Sequence, residues 1–237
     1  MHSLDNQRIL VIGGSSGIGL AIAAATAEAG ASVTIASRNQ EKLTAVATKL
    51  SGTVQIAVLD TGDNGLLERF FEDQMTWDHV VVSAAQTRVG SVRTLNLADA
   101  RAAMESKFWG AYRVARVAHI NGGGSLTLVS GFLSERPSAT AVLQGAINAA
   151  LEALARGLAL ELTPVRVNAV SPGMIETPIW DDLPPEKLKR MFEATAAQLP
   201  VHTIGQPKDV ANAVLFLMTT AYATGSTVRV DGGGVIA

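Results

Sequence analysis

Gly13, Gly17 and Gly19, in the run Gly13-Gly-Ser15-Ser16-Gly17-Ile18-Gly19, form the first spacing in the chain that could do chemistry. Glycine permits a tight turn and a close backbone approach, and a helix that opens from such a turn offers free N–H groups to an anion. The implied chemistry is the grip of a pyrophosphate. About twenty residues further on, an acidic side chain would hold a ribose 2′-hydroxyl and repel a 2′-phosphate. The chain has Ser37-Arg38 there, and no acid. A guanidinium can hold a phosphate through two hydrogen bonds, so the pair suits a ribose that carries a 2′-phosphate.

A glycine turn carries this meaning only between a strand and a helix. Arg8–Ile12 is a short β-like run, and Gly19–Ala29 follows with helical apolar periodicity. Ala31–Ala36 reads as a strand, Gln40–Leu50 as a helix, Val54–Leu59 as a strand, Gly65–Asp73 as a helix and His79–Ser83 as a strand. Further along, Leu97–His119 is one long helix, Ser125–Val129 a strand, Ala141–Leu162 a long helix and Val165–Val170 a strand. Pro184–Leu199 is mostly helical, Pro207–Thr219 is a helix and Thr227–Val230 a last strand. Alternation with short connections predicts βαβ units and a parallel sheet covered on both faces. No linker interrupts it. The expectation is a single doubly wound α/β domain of the Rossmann type over residues 1–237, with about seven strands and a substrate flap at about 175–200.

Hydrophobic residues make up 48% of the 237 residues and charged residues 17%, which is ample for a large core. No apolar run reaches the roughly 18 residues that span a bilayer, and no signal-like segment opens the chain, so no membrane is expected. A net charge of −2 without a long basic run argues against nucleic acid as a partner. Cysteine is absent, which excludes thiolate catalysis and disulfides and is compatible with a cytoplasmic location. The histidines at 2, 79, 119 and 202 show no metal-ligand spacing, so no metal is expected.

Several further motifs follow the glycine turn in order. They are Val58-Leu-Asp60-Thr61, Ser171-Pro172-Gly173 with Ile175, Glu176 and Thr177, Gly205-Gln-Pro-Lys-Asp209, and Val230-Asp231-Gly232-Gly233. Together with the Gly-x-x-x-Gly-x-Gly spacing, this set resembles the short-chain dehydrogenase/reductase family over nearly the whole chain. The resemblance implies a nicotinamide cofactor held by Gly13, Ser15, Ser16, Gly17, Ile18 and Gly19 at the pyrophosphate. Ser37 and Arg38 would meet the ribose, Asp60 and Thr61 the adenine edge, Ser83 and Ala84 the loop after the fourth strand, and Pro172, Gly173, Ile175 and Thr177 the nicotinamide half. With Ser37-Arg38 in place, NADP(H) is preferred over NAD(H).

The family's catalytic set is asparagine, serine, tyrosine and lysine, and here it is rewritten. Gln144 fills the tyrosine slot and Asn148 the lysine slot at the head of Gln144-Gly-Ala-Ile-Asn148. Neither carboxamide titrates near neutral pH. Glu105-Ser-Lys107-Phe-Trp-Gly110 puts lysine in the asparagine slot, so lysine and asparagine have traded places. Ser130 is the nearest match to the serine, one position early. A lysine buried beside a nicotinamide would have a lowered pKa and could act as an acid. Only Tyr112 and Tyr222 remain as phenols, and Tyr112 projects about 140° away from Lys107 on one helix, so packing is its expected role.

The expected function is therefore NADP(H)-dependent hydride transfer to or from a small carbonyl, alcohol or imine. Lys107, Gln144, Asn148 and Ser130 would form the site, with Ser130 as donor to the carbonyl. The alternative is an NADP(H)-binding sensor or partner subunit without catalysis. Pro178-Ile-Trp180, Leu183, Met191 and Phe192 suggest an apolar substrate lining, and the resemblance implies a homodimer or homotetramer.

Overall fold

A computed structural model describes residues 3–72 and 76–237. The chain runs β1 (Arg8–Ile12), α1 (Gly17–Glu28), β2 (Ser32–Ser37), α2 (Gln40–Ala47), β3 (Val54–Val58), α3 (Asn64–Glu72) and β4 (Trp77–Val82). It continues with α4 (Leu97–Met104), a π-helical segment (Glu105–Trp109), α5 (Gly110–Val117), β5 (Ile120–Val129) and α6 (Val142–Glu161). After these come β6 (Arg166–Pro172), α7 (Pro185–Gln198), α8 (Pro207–Thr219) and β7 (Thr227–Val230). Short 3-10 turns sit at Phe132–Ser134 and Pro178–Trp180.

All seven strands are parallel, in the order β3-β2-β1-β4-β5-β6-β7. Strands of such a sheet are covered on both faces and need apolar residues at every position, which Ile9-Leu10-Val11-Ile12 and Val80-Val81-Val82 supply. Alternate side chains feed two cores. Leu10, Ile12, Val80 and Val82 pack with Leu67, Phe71, Val114 and Leu151 of α3, α5 and α6. Ile9, Val11 and Val81 pack with Ile22, Leu43, Val210 and Val214 of α1, α2 and α8. The strand order reverses between β1 and β4, and in doubly wound sheets the ligand crevice opens there, beyond the carboxyl ends of the strands. α7 buries none of its residues and lies on the outside. Among the described residues, no helix is long and apolar enough to cross a membrane.

Three elements differ from expectation. The helix expected over Leu97–His119 is two α-helices joined by the π-helical segment, and Gly110 after it lies so close to Thr61 that a Cβ would stand 2.7 Å from Thr61 Oγ1. β5 begins at Ile120, not Ser125: Ile120 pairs with Trp77 and Ser125 with His79, and the glycines at 122–124, with Gly123 at φ 85°, bulge out between the two pairs. α2 stops at Ala47, where Lys49 and Leu50 bond back three residues, to Val46 O and Ala47 O, and tighten the last turn. His2 and Asp73 lie outside the described residues.

Candidate functional site

The glycine turn joins the end of β1 to α1. Gly13 and Gly17 have φ of 92° and 53°, a region that favours glycine. At Gly19 a Cβ would stand 2.2 Å from Gly13 O, and at Gly13 a Cβ would stand 2.6 Å from Ala84 N. Loop, helix and the end of β4 thus close on one another only without side chains at 13 and 19. Gly17 instead faces Thr177, 3.4 Å from a would-be Cβ. The N-cap of α1, Ser16, makes no side-chain cap and the first turn holds no acid. Beside the bare N–H groups of Gly17, Ile18 and Gly19 stand Ser15 and Ser16, half-buried and exposed. A twelve-residue helix with such an end and a glycine cradle fits a pyrophosphate. Ser83 is drawn into the floor: its N and Oγ and the N of Ala84 all donate to Ile12 O, so its hydroxyl supports the turn and does not reach up to a ligand.

At the far end of the crevice, Ser37 closes β2 and the exposed Arg38 donates from Nη2 to Gln86 Oε1 at 2.9 Å. Gln86 N donates in turn to Ser106 Oγ at 2.8 Å, so Arg38 reaches from β2 across to the loop after β4. Asp60 Oδ1 accepts from Gly62 N at 2.9 Å, which fixes the turn that presents its carboxylate, while Thr61 is buried under Gly110. At the near end, Pro172 closes β6 and Gly173 N donates to Val230 O at 2.9 Å. The side chain of Ile175 is not open to a ligand. It is 5% exposed and packs in the core, so only its backbone is left to meet a ligand.

The polar centre lies between α6, the π-helical segment and the end of β5. π-Turns widen a helix locally and are frequent at functional sites. Here the turn carries Lys107 inward until it is buried. Lys107 Nζ donates at 2.7 Å to Ser130 O and at 2.7 Å to Asn148 Oδ1. The two traded residues therefore meet, as the sequence suggested. Burial lowers the pKa of Lys107 from its ordinary value to about 8, against the opposing pull of Glu152. Gln144, one turn before Asn148, reaches it only loosely, with Nε2 3.4 Å from Oδ1. Gln144 Oε1 is buried and accepts no hydrogen bond among the described residues.

Ser130 does not face this centre with its hydroxyl. Its Oγ donates to Glu152 Oε1 at 2.8 Å, with Val170 O 3.2 Å away, and the residue is buried. The role expected for it, donor to a carbonyl, is withdrawn for that reason, and its contribution is the carbonyl oxygen that holds Lys107. The next residue, Gly131, faces Asn148 instead, and a Cβ there would stand 2.7 Å from Asn148 Nδ2. Glu152 was missed. It is buried, accepts also from Ser134 Oγ at 2.7 Å, and sits one turn beyond Asn148. Its signal was the spacing 144, 148, 152, which puts three polar side chains on one helix face.

Trp180 meets Phe192 of α7 edge-on at 6.5 Å, and a cavity of about 320 Å³ opens against α7, lined by Glu176, Pro185, Leu188, Lys189, Phe192 and Glu193. Ile179 is exposed and Tyr112 packs edge-on against Trp109, away from Lys107.

Residues 13–234 match the family described as Enoyl-(Acyl carrier protein) reductase. The short-chain dehydrogenase/reductase ATR9 of Stachybotrys chlorohalonatus is 33% identical over 256 residues, covering all of both chains. A small-chain dehydrogenase solved in complex with NADPH is 33% identical with a TM-score of 0.83, covering 98% of this chain and 100% of that one. The short chain oxidoreductase of Pseudomonas aeruginosa PAO1, described as containing an atypical catalytic center, is 28% identical with a TM-score of 0.88, covering 96% of each chain.

Proposed function

The chain belongs to the short-chain dehydrogenase/reductase family, and from that premise we propose that it is an NADP(H)-dependent oxidoreductase in which Lys107, not a tyrosine, supplies the proton. The observation that carries this reading is the buried Lys107 Nζ held 2.7 Å from Asn148 Oδ1 and 2.7 Å from Ser130 O. The glycine cradle, the bare end of α1 and Arg38 would hold the dinucleotide, with Asp60 at the adenine edge and Thr177 near the turn. Bound there, NADPH would supply the hydride for the reduction.

The substrate is a small carbonyl or imine compound with an apolar body, suited to the cavity beside Phe192 and Leu188. As its carbonyl carbon takes the hydride, the π pair moves to oxygen, and that oxygen takes a proton from Lys107. An ammonium has three protons. Two are directed to Ser130 O and Asn148 Oδ1, and the third is free to be given up. The resulting neutral amine keeps both hydrogen bonds. In the alcohol-to-ketone direction the same amine takes the proton back. A homodimer or homotetramer in a cytoplasmic setting would cover the exposed Trp109 and Tyr112.

The first test is a fluorescence titration with NADPH and with NADH, on the wild type and on Arg38→Ala. Charge-assisted hydrogen bonds to a phosphate are worth enough that NADPH should weaken about tenfold or more in the variant, with NADH little changed. Equal effects on both would deny Arg38 its role. Tight NADPH binding without turnover of any carbonyl or imine would favour a non-catalytic sensor.

A further inference from the structure

We propose that the carboxamide nitrogen of Asn148 is the donor that holds the substrate's carbonyl oxygen or imine nitrogen, in space that a side chain at position 131 would otherwise fill. The inference rests on the reductase reading above and assigns the one role that reading leaves vacant. A charged Lys107 can donate but not accept, so the Asn148 atom 2.7 Å from its Nζ must be the carboxamide oxygen. That fixes the other end of the amide, Nδ2, toward Gly131.

Two further observations point the same way. A Cβ at position 131 would stand 2.7 Å from Nδ2, closer than real Cβ contacts allow, so a side chain at 131 and Asn148 in this pose exclude each other. The hydroxyls on either side are committed, Ser130 and Ser134 both to Glu152. Asn148 is only 2% exposed and is held through its oxygen, while its Nδ2 makes no hydrogen bond among the described residues and is not one of the fully buried unpaired atoms, as Gln144 Oε1 is. The nitrogen is thus left to donate to a substrate heteroatom. Lys107 then acts partly through Asn148: an ammonium on Oδ1 polarises the amide and strengthens the N–H at its other end. Gln144 Nε2, 3.4 Å from the same oxygen, adds a weaker donor on that side.

The experiment compares Asn148→Ala, Asn148→Asp, Gly131→Ser and the double variant Gly131→Ser/Asn148→Ala. Each is measured for NADPH affinity by fluorescence and for kcat and KM with a carbonyl that the wild type reduces. Losing one preorganised donor should lower kcat about 10²–10³-fold in each single variant, with NADPH affinity kept within about threefold. Asn148→Asp keeps the shape and an acceptor for Lys107 but its carboxylate raises the lysine's pKa, so its kcat is compared on the low-pH plateau, where Lys107 is charged in both enzymes; there a purely structural Asn148 would leave it active, whereas loss of the donor should make it as slow as the alanine. The double variant, with a hydroxyl restored where the amide was removed, should recover at least about tenfold over Asn148→Ala. Activity of Asn148→Asp within about threefold of wild type, or a double variant slower than both singles, would overturn the assignment. If the wild type itself moves no hydride from bound NADPH, the reductase reading fails and the assignment falls with it.

Discussion

The two ends of the crevice are built from different material. The proposed nucleotide end is made of backbone: Gly13, Gly17 and Gly19 shape a turn whose atoms stand where side chains would have to be, with 2.2 Å between a Cβ at Gly19 and Gly13 O. The proposed catalytic end is made of side chains, Lys107, Gln144, Asn148 and Glu152, which reach the centre from a π-turn and one face of α6. A backbone site tolerates no exchange, because every atom of it is also structure. A side-chain site can trade residue types between elements, provided that the charges and donors arriving at the centre are kept. On the proposed reading, lysine from α6 is replaced by lysine from the π-turn, and the carboxamide goes the other way.

This contrast is sharpest at Gly19. In Gly19→Val the Cβ must displace Gly13 O, so NADPH binding should be lost below detection and the melting temperature should fall. Normal NADPH affinity by fluorescence titration would break the comparison, since the backbone site would then be no more constrained than the side-chain one. The smallest effect is expected far from both ends. His79 sits on β4, its ring held by Ser125 Oγ and Gln7 Oε1, each at 2.8 Å, and burial beside Arg166 lowers its pKa from 6.5 to about 4. Between pH 6.5 and 4 the unfolded chain binds the proton more readily, so stability is full above that window and is lost as the pH falls through it. His79→Gln should reduce this loss, measured as the change in melting temperature between pH 7.5 and 5, while NADPH affinity and kcat stay near wild type. A changed kcat would show that the sheet and the site are more tightly coupled than the comparison allows.

The fold was legible because its signals are local. Apolar runs such as Ile9–Ile12 and the repeated strand-turn-helix pattern fixed the parallel sheet without reference to distant residues. The meeting of Lys107 with Asn148 was legible as well, from slots that lie far apart in sequence. What could not be read was direction. Ser130 and Gly131 are neighbours on one extended segment, where successive side chains face opposite ways. The hydroxyl therefore turns to Glu152, and the glycine is left facing the centre. The π-turn was hidden as well: Glu105–Trp109 lies inside a run that reads as one helix, and only the wider winding there shows Lys107 to be buried.

The central claim is that an exchanged lysine does the work of the missing tyrosine, and the pH dependence of kcat for carbonyl reduction tests it most directly. With Lys107 as the acid, kcat should be flat at low pH and fall as the pH rises through about 8, where the ammonium is lost, and the reverse reaction should rise through the same pH. Lys107→Met should lower kcat about 10²–10⁴-fold and remove that limb, with NADPH still bound. A wild-type profile that is flat from pH 6 to 10, or a Lys107→Met enzyme that keeps both its rate and the limb near 8, would contradict the account.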